Sequence, residues 1–147
     1  MTNRSMHRLA CEEHGRVTAF VVVLTSGSLF FAGLVLDGGL ALAAKTRAIG
    51  QAQEAARAGA QELDLAAYRA TGVFRLDPAQ ARVAAQRYLT ALDAAGTVSI
   101  TGNTVEVTVT TTQPTQLLGL VGIDEIRVTG RGQAEPDQGD LAVARRP

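Results

Sequence analysis

The stretch VTAFVVVLTSGSLFFAGLVL, Val17 to Leu36, runs for twenty residues without a charged side chain and is followed at once by Asp37-Gly38-Gly39. As a helix rising about 1.5 Å per residue it spans about 30 Å, the thickness of a bilayer's hydrocarbon core. The core helix of a soluble domain would carry a polar stripe with a period of 3.6. Here Ser and Thr are the most polar residues on offer. The strongly apolar residues, at roughly −0.3 to −0.6 kcal/mol each, favour insertion by several kcal/mol, reduced modestly by Thr18, Thr25, Ser26, Ser28 and two glycines. The stretch therefore reads as a transmembrane helix over residues 17–36.

A secretory signal is the alternative. Arg4, Arg8 and Arg16 can serve as its charged leader, and Ala41-Leu42-Ala43 resembles a small-x-small cleavage site, with the cut between Ala43 and Ala44. Against it, the apolar run exceeds the usual 7–15 residues of a signal, and Asp37 stands between that run and the cut. An uncleaved anchor is the expected form. The charge rule discriminates little on orientation, because Arg4, Arg8 and Arg16 before the span face Lys45, Arg47 and Arg57 after it. Arg16 at the very edge, and a long folded segment only on the C-terminal side, place the tail of residues 1–16 in the cytoplasm. Within the span, Ala19, Ser26 and Gly33 recur at seven, a small-residue face that would let another helix approach closely. Asp37 admits two readings, an interfacial carboxylate that marks the exit of the span or a partner for a cation on a neighbouring protein.

Beyond Asp37 the helical pattern resumes over LALAAKTRAIGQAQEAARAGAQELDLAAY. Leu42, Ile49, Ala56 and Leu63 recur at seven, with Ala52, Gly59 and Ala66 between them, opposite Arg47, Gln51, Glu54 and Gln61. One long helix is thus expected to leave the bilayer and become amphipathic, with Gly38 and Gly39 after Asp37 as its exit and bend. Asp77-Pro78 supplies an N-cap and a first-turn proline for a second helix closed by Gly96. The period then changes to two. Val98 and Ile100, then Val105, Val107 and Val109, alternate with polar residues around a Gly102-Asn103 turn, which would pair Ile100 with Val105 and Val98 with Val107. PTQLLGLVG reads as a short helix or tight loop, and Glu125 to Thr129 as a third strand. The expected fold class is α+β: the long helix and the second one packed on one face of a small, mainly antiparallel sheet of about three strands. Residues 37–134 form the extracytoplasmic domain, and residues 135–147 read as a disordered tail.

With a formal net charge of zero, nothing draws the chain to nucleic acid. With 4% aromatic residues and no Trp, its core has to be built from Ala, Val, Leu and Ile. The lone Cys11 cannot form an internal disulfide and precedes the apolar segment, where a lipoprotein cysteine would follow it. Both histidines, His7 and His14, also precede the span, so the segment beyond it has no His or Cys for a zinc site or a histidine-based triad. Asp64, Asp77, Asp93, Asp124 and Glu125 are explained as cap, helix-end or loop residues, and Gly119-Leu120-Val121-Gly122 is too short and apolar to cradle a phosphate. No catalytic residue, cofactor, metal or small-molecule substrate is expected.

Taken in order, the basic start ending at Gly15-Arg16, the apolar span, Asp37-Gly38-Gly39, the run Gln51-Ala52-Gln53-Glu54-Ala55-Ala56-Arg57-Ala58-Gly59-Ala60, the PTQLLGLVGI segment and the closing EIRVTGRGQA resemble the TadE/TadG-like proteins of tight-adherence (Flp) pilus systems, in their actinobacterial form. The resemblance covers residues 15–134. It implies a single-pass, non-catalytic envelope protein that assists assembly or anchoring of a pilus, with the membrane and other pilus-assembly or envelope proteins as its partners. Prepilin-like relatives are cut after a glycine and carry Glu at the fifth mature position. A cut between Gly15 and Arg16 would put Phe20 there, and no carboxylate follows until Asp37, so the chain is closer to an uncleaved TadG-like accessory than to a polymerising subunit. The competing expectation is a small secreted α+β binding module released near Ala43.

Overall fold

The computed structural model describes residues 6–136, and their side chains from Arg16 onward. The expectations for His7, Cys11 and His14 as ligands or modification sites, and for nearly all of the 135–147 tail, fall outside what it describes. The fold is α+β. Helix α1 spans Met6–Ala60, followed by α2 (Leu65–Thr71), α3 (Pro78–Ala91), β1 (Gly96–Thr101), β2 (Thr104–Pro114) and β3 (Glu125–Ala134), with a single 3-10 turn, Leu118–Val121, between the last two strands. These elements sort into two compact units. One contains the chain up to Gly39 together with Thr115–Asp124, and the other contains Leu40–Pro114 and the chain from Glu125 on.

In the second unit the sheet is antiparallel with order β1-β2-β3. The expected hairpin is present, with Ile100 opposite Val105 and Val98 opposite Val107. Gly102 takes φ 60 while Asn103 stays at negative φ, the signature of a type II′ turn, whose twist matches that of the strands. Asn103 also holds a distant segment: its amide nitrogen donates to the Phe74 carbonyl, and its oxygen accepts from the Leu76 N–H.

The core consists of Val105, Val107 and Val109 on the central strand, under Ala48, Ala52, Ala55, Ala56 and Ala60 of α1 and Ala81, Ala85 and Leu89 of α3, with Leu76 from the segment before α3. Alanine suffices on α1 because β3 meets it with glycines, Gly130 and Gly132. A Cβ at Gly130 would fall on the backbone of Ala48 and Ile49, and one at Gly132 on that of Ala52 and Gln53. Helix and strand are therefore in backbone contact, and only glycine fits on the strand side. A Cβ at Gly59 would likewise stand 2.9 Å from the Ala81 carbonyl, so α1 and α3 also meet closely.

Four sequence expectations need correction. The amphipathic helix does not continue to Tyr68. It ends at Ala60, and Asp64 caps the separate α2 by accepting from the Ala67 N–H. Its buried line is Ala44, Ala48, Ala52, Ala55, Ala56 and Ala60, while Leu42 lies exposed, because side chains larger than alanine do not fit against the glycines of β3. The second helix begins as expected, with Asp77 accepting from the Ala79 and Gln80 N–H groups, but it ends at Ala91 and is not closed by Gly96. Asp93 takes the left-handed turn after it (φ 51), a conformation Asp tolerates, and Gly96 opens β1, where a side chain would meet Leu89 and the Thr108 carbonyl. The third strand runs on from Thr129 to Ala134. Glycines ordinarily weaken a strand, but at 130 and 132 they admit the helix.

Candidate functional site

The other unit joins the apolar part of α1 to the loop Thr115–Asp124, and a carboxylate stands at its centre. Asp37 projects from a helix that continues unbroken through Gly38 and Gly39, yet only 1% of its surface is exposed. Its Oδ1 accepts from the Gln116 N–H at 2.8 Å, and its Oδ2 from the N–H groups of Leu117 at 3.0 Å and Leu118 at 2.7 Å. These amides open the 3-10 turn Leu118–Val121, whose first N–H groups have no partners within the turn itself. Asp37 supplies those partners from 79 to 81 residues away in the chain. Burial pushes its carboxyl up, and the N–H groups of Leu118, Gln116 and Leu117 pull it down by more, so it titrates below its ordinary value of 3.8. The group is an anion latched onto backbone donors.

The loop closes on itself around this latch. Thr115 N–H donates to the Asp124 carbonyl, its hydroxyl to the Ile123 carbonyl, Ile123 N–H to Leu118, Leu120 N–H to Leu117 and Gly122 N–H to Gly119. Gly122 takes φ 87, a left-handed conformation that favours glycine. The loop's side chains lie along α1. A Cβ at Gly33 would stand 3.0 Å from the Leu117 Cβ, and an apolar crevice of about 370 Å³ opens between Ser26, Leu29, Phe30 and Gly33 on the helix and Leu117, Leu118, Leu120 and Val121 on the loop.

Of the small-residue face expected to receive another helix, Gly33 and Ser26 thus face the chain's own loop, and Ala19 is exposed. Gly38 and Gly39 are exposed, with open space where a side chain would stand. Neither scission candidate interrupts the helix: Gly15-Arg16 and Ala43-Ala44 both lie inside α1, Ala43 exposed and Ala44 buried. Asp37 thus accepts three N–H groups of its own chain, a partnership that neither reading of this acid from the sequence included. Sequence reasoning missed the loop as its partner. The available signal was a single acid ending an apolar run, together with an apolar loop lacking any cap residue of its own.

Among the described residues no three His, Cys, Asp or Glu side chains come together in a metal-binding group. The span has the length and composition to cross a membrane, with a mean hydropathy of 2.3 over its most apolar window. No protein-family model matches the chain, and neither a curated protein nor a solved structure is significantly similar to it.

Proposed function

We propose that this chain is a single-pass membrane protein with a cytoplasmic N-terminus, whose extracytoplasmic α+β domain assists assembly or anchoring of a Flp/Tad-type pilus through protein contacts, without catalysis. The observation that carries the anchored reading is the Asp37 latch. Cleavage near Ala43 would remove the acceptor of three loop N–H groups and strip the apolar helix from Leu117 and Leu118. A secreted module would then expose unsatisfied donors beside a bare apolar loop, a costly combination for a soluble protein. The uncleaved chain keeps the donors satisfied and Leu118 buried. The pilus assignment draws on the resemblance in the order of Gly15-Arg16, the span, Asp37 and the Gln51–Ala60 run.

Two measurements test the proposal. N-terminal sequencing of the mature protein is expected to give Met1 or Thr2. A start at Ala44 would overturn the anchored reading, and one at Arg16 would identify prepilin-type processing instead. Deletion of the gene in a piliated host is expected to abolish surface pili while the pilin subunit is still made, and unchanged piliation would overturn the assembly role.

A further inference from the structure

We propose that the loop Thr115–Asp124 is a second membrane-inserted element, a wedge that enters the extracytoplasmic leaflet beside the span and holds lipid acyl chains against Leu120, Val121 and the crevice they share with Leu29 and Phe30. The inference rests on the anchored reading and adds a lipid-binding surface to it.

The depth of the loop follows from the length of the helix. The loop and the crevice it forms with α1 extend along the helix from Ser26 to Asp37. If the loop lay outside the hydrocarbon core, the core would have to be crossed by residues N-terminal to Ser26. Only Val17 to Thr25 are available there before the charge of Arg16. Nine residues rise about 13 Å, less than half of the roughly 30 Å required. The span reaches across only if it includes the turns on which the loop is packed. From Asp37 down to Ser26 is eleven residues, so the far end of the loop lies on the order of 16 Å along the helix from its exit.

The chemistry of the loop suits that depth. Irregular backbone is tolerated in hydrocarbon only where its polar groups are satisfied inside the protein. Here the N–H groups of Gln116, Leu117 and Leu118 are taken by Asp37, and those of Thr115, Leu120, Gly122 and Ile123 by carbonyls of the loop itself. No charged side chain occurs from Thr115 to Ile123. Leu120 is 85% exposed and Val121 60%, an unfavourable display in water and an ordinary one against acyl chains. Asp37, at the exit end of the span, receives the loop at the level where a carboxylate is least costly.

The test uses the full chain with Cys11→Ser, reconstituted into phospholipid vesicles and labelled at single introduced cysteines with an environment-sensitive fluorophore. Leu120→Cys and Val121→Cys probe the loop, Phe31→Cys the span, and Thr129→Cys the sheet. The expected result is that lipids bearing a nitroxide on the acyl chain quench the label at 120 and 121 as fully as at 31, while aqueous iodide quenches only the label at 129. If 31 is quenched by the lipid nitroxide and 120 and 121 by iodide, the wedge is overturned and the anchor stands. If 31 is also quenched by iodide alone, both are overturned. Placing Val121→Asp beside Leu120→Cys is expected to move the label at 120 from lipid to iodide quenching. Continued lipid quenching there would show that the fluorophore, and not the loop, seeks the membrane, and would likewise overturn the proposal.

Discussion

Asp37 accepts three amide hydrogen bonds through two oxygens, and that arithmetic sets what can replace it. Asparagine keeps the shape but has one acceptor oxygen, and its NH2 would point a donor at a donor. Asp37→Asn is therefore expected to release the loop, read as accelerated hydrogen exchange at Gln116, Leu117 and Leu118 with the amides of β2 unchanged. Glutamate retains the charge but is longer by one methylene in a buried site, and it is expected to restore only part of the protection. The pH dependence has a definite sign. The docked carboxyl titrates below its ordinary 3.8, so the free loop state binds more protons than the docked one. Docking is at full strength above 3.8 and is lost as pH falls below it through the depressed value. Protection of the loop amides, taken relative to the intrinsic exchange rate at each pH, is expected to fall over that range in the wild type and to stay flat in Asp37→Asn. None of this was legible from the sequence. The acid was visible at the end of an apolar run, but its donors are backbone amides, which carry no side-chain signature, and they lie some 80 residues away.

At the scale of elements, legibility followed the range of the interaction. The Asp77 cap, the Pro78 start and the Gly102-Asn103 turn are set by neighbours in the chain, and the hairpin register followed from that turn and the alternation around it. Two of the failures were set by contact across the fold. Leu42 stands out of the core and β3 runs through two glycines because α1 and β3 touch backbone to backbone. Gly130→Ala or Gly132→Ala is expected to cost about 1–3 kcal/mol or more in urea unfolding of the detergent-solubilised chain, as overpacking does. Asp77→Ala, which removes a cap that the sequence did reveal, should cost about 1 kcal/mol. Gly38 and Gly39 offer the contrast. They sit inside a continuous helix with open space around them, so Gly38→Ala and Gly39→Ala are expected to raise stability by up to about 1 kcal/mol each. A loss of stability at either position would show that the glycines serve a bend.

For the whole molecule, the proposed membrane attachment sets a quantitative requirement. The strongly apolar residues from Val17 to Leu36 favour insertion by roughly 4–7 kcal/mol, while one arginine at the centre of a span opposes it by about 2.5–3.5 kcal/mol. Gly27 is the natural site for the first, since it lies near the middle of the run and no atom stands within 4 Å of an added Cβ. Leu24, exposed on the same helix, is the second. Gly27→Arg alone leaves a small net preference for the bilayer, and the protein is expected to remain in the alkali-resistant membrane fraction. Gly27→Arg with Leu24→Arg opposes insertion by about 5–7 kcal/mol and also removes the contribution of Leu24, so the balance reverses and the chain should leave that fraction. A signal sequence would respond differently, because the double variant would accumulate as uncut precursor while the single variant yielded a shortened soluble product. Following the fractionation and mass of the two variants side by side distinguishes anchoring from export. A membrane-retained single variant of full length is the outcome that the Asp37 latch requires, since the latch survives only if Asp37 and the loop remain on one chain.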